Sequence, residues 1–248
     1  MTPILLIPAR LAATRLPGKP LADIGGLPMI VRVVRQAEAS GDGPVAVAAG
    51  DPEIVAAVEA AGGRAVLTDP DLPSGSDRIL AALRILDPDG RHDVVINLQG
   101  DIPFIAPEAI QACAGLLSER PEADISTVMV AESDPSDRVN PDMPKVVAAM
   151  APDGRSARAL YFTRSVLYGE GPVWIHHGIY GYRRQALERF TAAPPSPLER
   201  RERLEQLRAL EMGMVIWSAV LDEAPISVDN PSDLERARAH ARRMGDPA

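Results

Sequence analysis

Arg10, Arg15 and Lys19 gather in the segment IPARLAATRLPGKPL, directly after the apolar run from Ile4 to Ile7, and the next acidic residue is Asp23. In open α/β sheets, ligands bind beyond the carboxyl ends of the strands. Loop amides there can face an anion, guanidinium forks match phosphate oxygens, and a lysine adds a compact charge. A triphosphate suits such a loop. A solvated basic loop paired to an acidic surface suits the spacing equally well, and the spacing alone does not choose. The segment is neither a G-x-x-x-x-G-K-[ST] phosphate loop nor a G-x-G-x-x-G dinucleotide fingerprint.

Carboxylates follow at matching places. The run VVINLQGDIP ends in Gln99, Gly100 and Asp101, and SVDNP sets Asp229 just before Asn230. A carboxylate at a strand end, across from a phosphate loop, can hold Mg²⁺. Taken singly, Asp101 reads as a turn residue and Asp229 as capping chemistry. With the basic loop they make a metal–triphosphate site plausible.

The elements that must position these residues follow a β-α-β-α rhythm. PILLIPA, PVAVAAG, RAVLT and DVVINLQGD read as strands. GGLPMIVRVVRQAEAS, DPEIVAAVEAAGG, SDRILAALRILD and APEAIQACAGLLSER read as helices, the first burying Ile30, Val33, Val34 and Ala37. That alternation implies a mainly parallel sheet with helices on both faces. From about residue 125 to 185 the rhythm changes to DISTVMVA, KVVAAMAPDG, RALYFTRS and HHGIYGYRR, an antiparallel region with a Pro-Asp-Gly turn. Then come helices RQALERFTAA and PLERRERLEQLRALEMG, strand MVIWSAV, and a last helix capped by Asn230 with Pro231 at its first position. The expectation is an α/β fold in one domain, 1–248, with an antiparallel insertion.

Composition narrows the class. The 248 residues carry a net charge of -8, which argues against a nucleic-acid partner. The lone cysteine, Cys113, lies in an apolar helical pattern and excludes a disulfide framework. No signal peptide or membrane-length apolar run is read, so a cytoplasmic protein without a membrane partner is expected.

The motifs together resemble the 3-deoxy-manno-octulosonate cytidylyltransferases, also called CMP-KDO synthetases. The opening loop, PSGSDR, LQGDIPFI, KVV, ALYFTRS, HHGIYGYR, PSPLE, LEQLRALEMG and VDNPSDLE occur in the family's order along nearly the whole chain. The resemblance implies a nucleotide-diphospho-sugar transferase-like fold with an inserted dimerisation region, and a homodimer. It implies the reaction of CTP with 3-deoxy-D-manno-octulosonate (KDO) to give CMP-KDO and diphosphate, with Mg²⁺, for lipopolysaccharide synthesis. It assigns Arg10, Arg15 and Lys19 to the triphosphate, Ser74 and Gly75 to the nucleotide, and Asp101 and Asp229 to the metal. Lys19, Asp101 and Asp229 are the catalytic set. Arg78, Gln99, His176, Tyr180, Glu205 and Gln206 are the sugar-binding set.

Some residues depart from the family pattern. Ile102 stands where the family often has glutamate, Ile175 where it often has arginine, and the segment 165–175 is short. These leave the nucleotide assignments intact and open the acceptor to another acidic sugar, of 8-amino KDO or sialic acid type. A catalytically silent nucleotide-binding regulator is the rival from another class.

Overall fold

The apolar run near the start forms a buried strand, β1 (Pro3–Ala9), in which Leu5, Leu6 and Ile7 are fully enclosed. The computed structural model describes residues 1–12, 16–132 and 134–245. After β1 come the short strands β2 (Asp23–Ile24) and β3 (Leu27–Pro28), then α1 (Met29–Ser40), β4 (Val45–Ala49), α2 (Pro52–Ala60) and β5 (Ala65–Leu67). The chain continues through α3 (Gly75–Leu86), β6 (Val94–Leu98), α4 (Pro107–Glu119), β7 (Ile125–Ala131), α5 (Pro135–Val139), β8 (Lys145–Met150) and β9 (Ser156–Thr163). Last are β10 (Trp174–Arg183), α6 (Arg184–Ala192), α7 (Pro197–Glu202), α8 (Gln206–Glu211), β11 (Ile216–Leu221) and α9 (Pro231–Arg243). Two compact units result, Thr2–Ile110 with Pro225–Ala248, and Gln111–Ala224 with Met1.

In the first unit, β4 pairs with both β5 and β1, and β1 pairs with β6, all parallel. Continuous apolar runs suit such strands, because a parallel sheet is buried on both faces. The register sets Ala9 opposite Ala49 and Leu6 opposite Asn97. The loops that follow β1, β4 and β6 therefore leave from one edge, which is where the basic loop and the Gln99-Gly100-Asp101 turn must meet.

The helix expected from Gly25 onward begins only at Met29. Gly25 and Gly26, at φ 58 and 76, instead turn the β2–β3 hairpin, and the Arg32 guanidinium donates to the carbonyls of Ile24 and Gly25. Positive φ at two successive residues is cheap only for glycine-like backbones. At the far end of the unit, the Asn230 side chain accepts from Asp233 N at 3.1 Å, and Asp233 Oδ2 accepts from Asn230 N at 3.1 Å and Asp229 N at 2.8 Å. This reciprocal cap fixes the start of α9, whose Leu234, Ala237 and Ala241 pack with Ile24, Met29 and Val228.

In the second unit, β7 lies between antiparallel β10 and parallel β11, and β9 pairs antiparallel with both β11 and β8. The expected antiparallel region is thus present, with Gly154 at φ 65 in the β8–β9 turn. The single helix expected over PLERRERLEQLRALEMG is two, α7 and α8. Arg203 breaks it at φ 56, and Arg164 donates to the carbonyls of Glu202 and Arg203 that would otherwise serve a continuing helix. The short helix α5, capped by Asp134, was not expected from the sequence.

Removing the α9 cap by Asn230→Ala is expected to cost about 1 kcal/mol. In thermal denaturation the midpoint should fall by about 2–4 °C; no shift would show that the cap contributes nothing.

Candidate active site

Lys19 opens a 3-10 turn, Lys19–Leu21, behind Gly18 at φ 69. Its Nζ donates to Asp101 Oδ2 at 2.7 Å and to Asp229 Oδ1 at 3.4 Å. Val228 N donates to Asp101 O at 2.9 Å, so the turn after β6 and the segment before α9 are also tied through backbone. Residues separated by 82 and 210 positions in sequence thus converge on one ammonium group.

Around this cluster lies a cleft of about 440 Å³, with Arg10, Lys19, Ser74, Gly75, Arg78, Gln99, Asp101 and Asp229 on its walls. These are the nucleotide, metal and part of the sugar set expected from the sequence. Arg15 lies outside the described residues. Arg10 is exposed at the mouth of the loop. Ser74 caps α3, accepting from Asp77 N at 3.1 Å and donating to Asp77 Oδ2 at 2.7 Å, so its hydroxyl is committed to the cap. Gln99 Nε2 donates to Asn97 Oδ1 at 3.3 Å.

Arg78 does not behave as a solvent-facing helical arginine, being only 2% exposed. It donates through Nη1 to Thr68 Oγ1 at 2.6 Å and to Asp69 O at 3.0 Å, and through Nη2 to Pro70 O at 3.1 Å. Burial first, then the like charge of Arg10, lowers its pKa, while Asp51 and Asp69 oppose the shift. Most of its donors are therefore spent on the 68–70 loop, a use that helical periodicity gave no sign of.

Two carboxylates aimed at one point are a sparse but suitable donor set for a hard divalent cation. Among the described residues no group of three or more His, Cys, Asp or Glu gathers as a closed metal cage. Mg²⁺ commonly takes one or two carboxylates and fills its remaining positions with water and substrate phosphate. Asp101 and Asp229 fit that pattern.

The other expected sugar residues belong to the second unit. His176 is 7% exposed, with Nε2 2.9 Å from Thr127 Oγ1 and its ring 5.1 Å from Phe162 and 5.4 Å from Tyr180. Thr127 Oγ1 donates to Ile179 O at 2.7 Å, so the network assigns the imidazole proton to Nε2 and leaves Nδ1 as an acceptor. Burial, and then His177, bring the His176 pKa down to about 3. Burial first, then Tyr182 and Glu205, raise that of Tyr180 well above its usual value. Glu205 stands at the head of α8, 3.6 Å from Arg208, and the buried Gln206 Nε2 has no hydrogen-bond partner among the described residues. His176 and Tyr180 are therefore ring neighbours, Glu205 is an electrostatic neighbour of Tyr180, and Gln206 follows Glu205 in the chain.

Asp51 and Thr127 were missed at the sequence level. Asp51 precedes Pro52 and reads as a plain helix cap, yet its Oδ2 accepts from Leu11 N at 2.7 Å. Thr127 sits in an apolar strand run and gives no signal. Ile102, at the departure from the family pattern, is 3% exposed and belongs to the core.

A family model described as cytidylyltransferase matches residues 4–216. A protein of Parvibaculum lavamentivorans named 3-deoxy-manno-octulosonate cytidylyltransferase is 57% identical over 242 residues, 97% of this chain and 93% of its own. One of Azorhizobium caulinodans, with the same name, is 59% identical over 237 residues, 95% of this chain and 94% of its own. A solved structure of CMP:2-keto-3-deoxy-manno-octonic acid synthetase complexed with CTP superposes with a TM-score of 0.90 at 34% identity, covering 98% of this chain and 100% of that one.

The depressed His176 has a consequence for stability. Its unfolded-state pKa is near 6.5 and its folded value about 3, so the unfolded chain takes up a proton that the folded chain refuses. Its contribution is intact above the unfolded value and is lost as pH falls from 6.5 toward 3. His177, lowered to about 4 by burial, acts in the same direction. The urea midpoint should therefore drop between about pH 7 and pH 5, and less so in His176→Asn. An equal drop in that variant would contradict the assignment.

Proposed function

The chain belongs to the 3-deoxy-manno-octulosonate cytidylyltransferase family, and on that premise we propose that its cleft joins CTP to KDO, giving CMP-KDO and diphosphate. The observation that carries this reading is the Lys19 ammonium between Asp101 and Asp229, at the carboxyl edge of a parallel sheet and inside a cleft that Arg10 also lines.

In this reaction the anomeric hydroxyl oxygen of KDO forms a bond to the α-phosphorus of CTP. The bond from that phosphorus to the oxygen bridging to the β-phosphate breaks, and diphosphate leaves with the electron pair. The hydroxyl proton passes to solvent, and no side chain is assigned as its base. Both reactants are anions, so neutralisation and alignment are the main work of the site. Arg10 and Lys19 neutralise the triphosphate, and Arg15 takes the same role from the family pattern. Lys19 can turn from its carboxylate partners to the charge that builds up around the α-phosphate. The amides of the Ser74–Gly75 turn, at the N-terminus of α3, meet the nucleoside end.

Asp101 and Asp229 would hold Mg²⁺. When bound, Mg²⁺ polarises the phosphate and lowers the pKa of the sugar hydroxyl. Gln99, an uncharged amide at the strand end, suits sugar hydroxyls, and Arg78 is the candidate for the sugar's carboxylate or a hydroxyl. His176 through Nδ1, Tyr180 through its protonated phenol, and Glu205 and Gln206 are candidates for the remaining sugar hydroxyls. Use of the product in lipopolysaccharide synthesis, a homodimer and a cytoplasmic location belong to the same proposal. No helix among the described residues is long and apolar enough to cross a membrane.

Diphosphate release should require CTP, KDO and Mg²⁺ together, with the other nucleoside triphosphates inactive. Lys19→Ala and Asp101→Asn should each lower kcat/KM by about a hundredfold or more. Release with another acidic sugar alone would keep the chemistry and replace the acceptor. Turnover indifferent to both substitutions would refute the site.

A further inference from the structure

We propose that Asp51 is a positioning residue for the nucleotide cleft, its carboxylate fixing the first turn of the basic loop and balancing the charge of Arg10 and Arg78. The inference rests on the reading of that cleft as the CTP site. It begins with a cap that does not cap. Asp51 occupies the N-cap position of α2, with extended backbone at φ -137 and ψ 139 and Pro52 next, but its side chain makes no capping hydrogen bond. Aspartate at that position ordinarily satisfies the first amides of its own helix. Here Oδ2 is turned to Leu11 N at 2.7 Å, the amide directly after Arg10.

The neighbouring residue supports the same assignment. Gly50 N donates to Ala9 O at 2.8 Å, so the ends of β1 and β4 stay joined up to the point where the basic loop departs. A Cβ at Gly50 would lie 2.8 Å from Arg78 Nη1 and 3.2 Å from Arg10 Cβ. The constraint at this glycine is space, because both arginines pass against its Cα. Arg78 in turn pegs the 68–70 loop, and Thr68 N and Oγ1 each donate to Ala49 O at 2.8 Å. The Gly50-Asp51 step is therefore the place where two of the cleft's loops are anchored together.

Charge explains why aspartate is useful there. Arg10 and Arg78 repel one another, and Asp51, ahead of Asp69, offsets this at Arg78. Asp51 is not among the described residues lining the cleft, so it leaves the ligand's path clear. Without its carboxylate the Leu11 amide loses its acceptor, and the arginines face each other until a triphosphate arrives. A loop that is competent only part of the time weakens apparent affinity by that fraction. The role falls on CTP capture, because the Leu11 amide that Asp51 holds adjoins Arg10, whereas Arg78 keeps its own hydrogen bonds to Thr68, Asp69 and Pro70.

The test compares CTP binding by calorimetry, steady-state kinetics and thermal midpoints for wild type, Asp51→Ala and Asp51→Asn. Asp51→Ala should raise both Kd and KM for CTP about tenfold, with kcat and the KM for KDO within about twofold of wild type. Asp51→Asn keeps an oxygen acceptor for Leu11 N–H but not the charge, so it should recover most of the loss and stay about threefold weaker than wild type. Gly50→Ala, whose added Cβ would press on both Arg10 and Arg78, should raise the KM of CTP and of KDO together. Wild-type CTP affinity in Asp51→Ala would overturn the inference. So would an equal fall in kcat and stability without selective loss of CTP. Should Asp51→Ala fail to fold, unchanged CTP affinity in Asp51→Asn overturns it instead. A wild-type protein that binds no CTP would sink the nucleotide reading itself, whereas normal wild-type binding with an indifferent Asp51 sinks only this step.

Discussion

The Lys19 ammonium, 2.7 Å from Asp101 and 3.4 Å from Asp229, is the contact on which the cleft depends. Its side chain is 15% exposed and those of the two aspartates 27% and 40%, so the cluster is shielded on one side and open to the cleft on the other. Shielding strengthens each attraction and also makes an uncompensated charge costly. The three groups therefore need one another, or a ligand that replaces one of them. A cation can take the place of the ammonium between the carboxylates, and phosphate oxygens can take the place of the carboxylates around the ammonium. A metal-bound triphosphate brings both at once.

Everything needed to hold that cluster is built from ordinary elements. Parallel pairing of β1, β4 and β6 brings the basic loop, the Gly50-Asp51 step and the Gln99–Asp101 turn to one edge. Gly100 permits the tight passage there, because a Cβ would lie 3.1 Å from Pro8 O. The Asn230–Asp233 cap sets the start of α9 and with it Asp229, while Leu16 and Phe104 pack on the apolar cluster that includes Val228. Core packing, helix capping and strand register thus act on one functional point, and a change in any of them reaches the cleft through Asp101 or Asp229.

Much of this was legible in the sequence, for identifiable reasons. Apolar runs bounded by turns marked β1, β4 and β6, and the Asn230-Pro231 start signal marked α9, because those signals are local. Lys19 was readable as part of a conspicuous basic loop, whereas Asp101 and Asp229 read singly as turn and cap residues and stood out only beside that loop and through the family resemblance. What escaped depends on contacts far apart in the chain. The burial of Arg78 requires a glycine 28 positions earlier and carbonyls from another loop, as its 2% exposure and the Gly50 geometry record. The Arg203 break needs Arg164 from a distant strand end to hold the freed carbonyls. Asp51 escaped because its local context offers only a helix start, and the tertiary fold alone gives it Leu11 as a partner.

Under the proposed function, the aspartates and Lys19 form a site matched to a metal-bound triphosphate and not to a free metal. Calorimetric titration of Mg²⁺ into the protein, alone and with saturating CTP, tests it most directly. Lys19 competes for the carboxylates until phosphate draws it away, so Mg²⁺ should bind weakly alone and at least about tenfold more tightly with CTP present, a reciprocal coupling of the two ligands. Equal Mg²⁺ affinity with and without CTP would contradict the account.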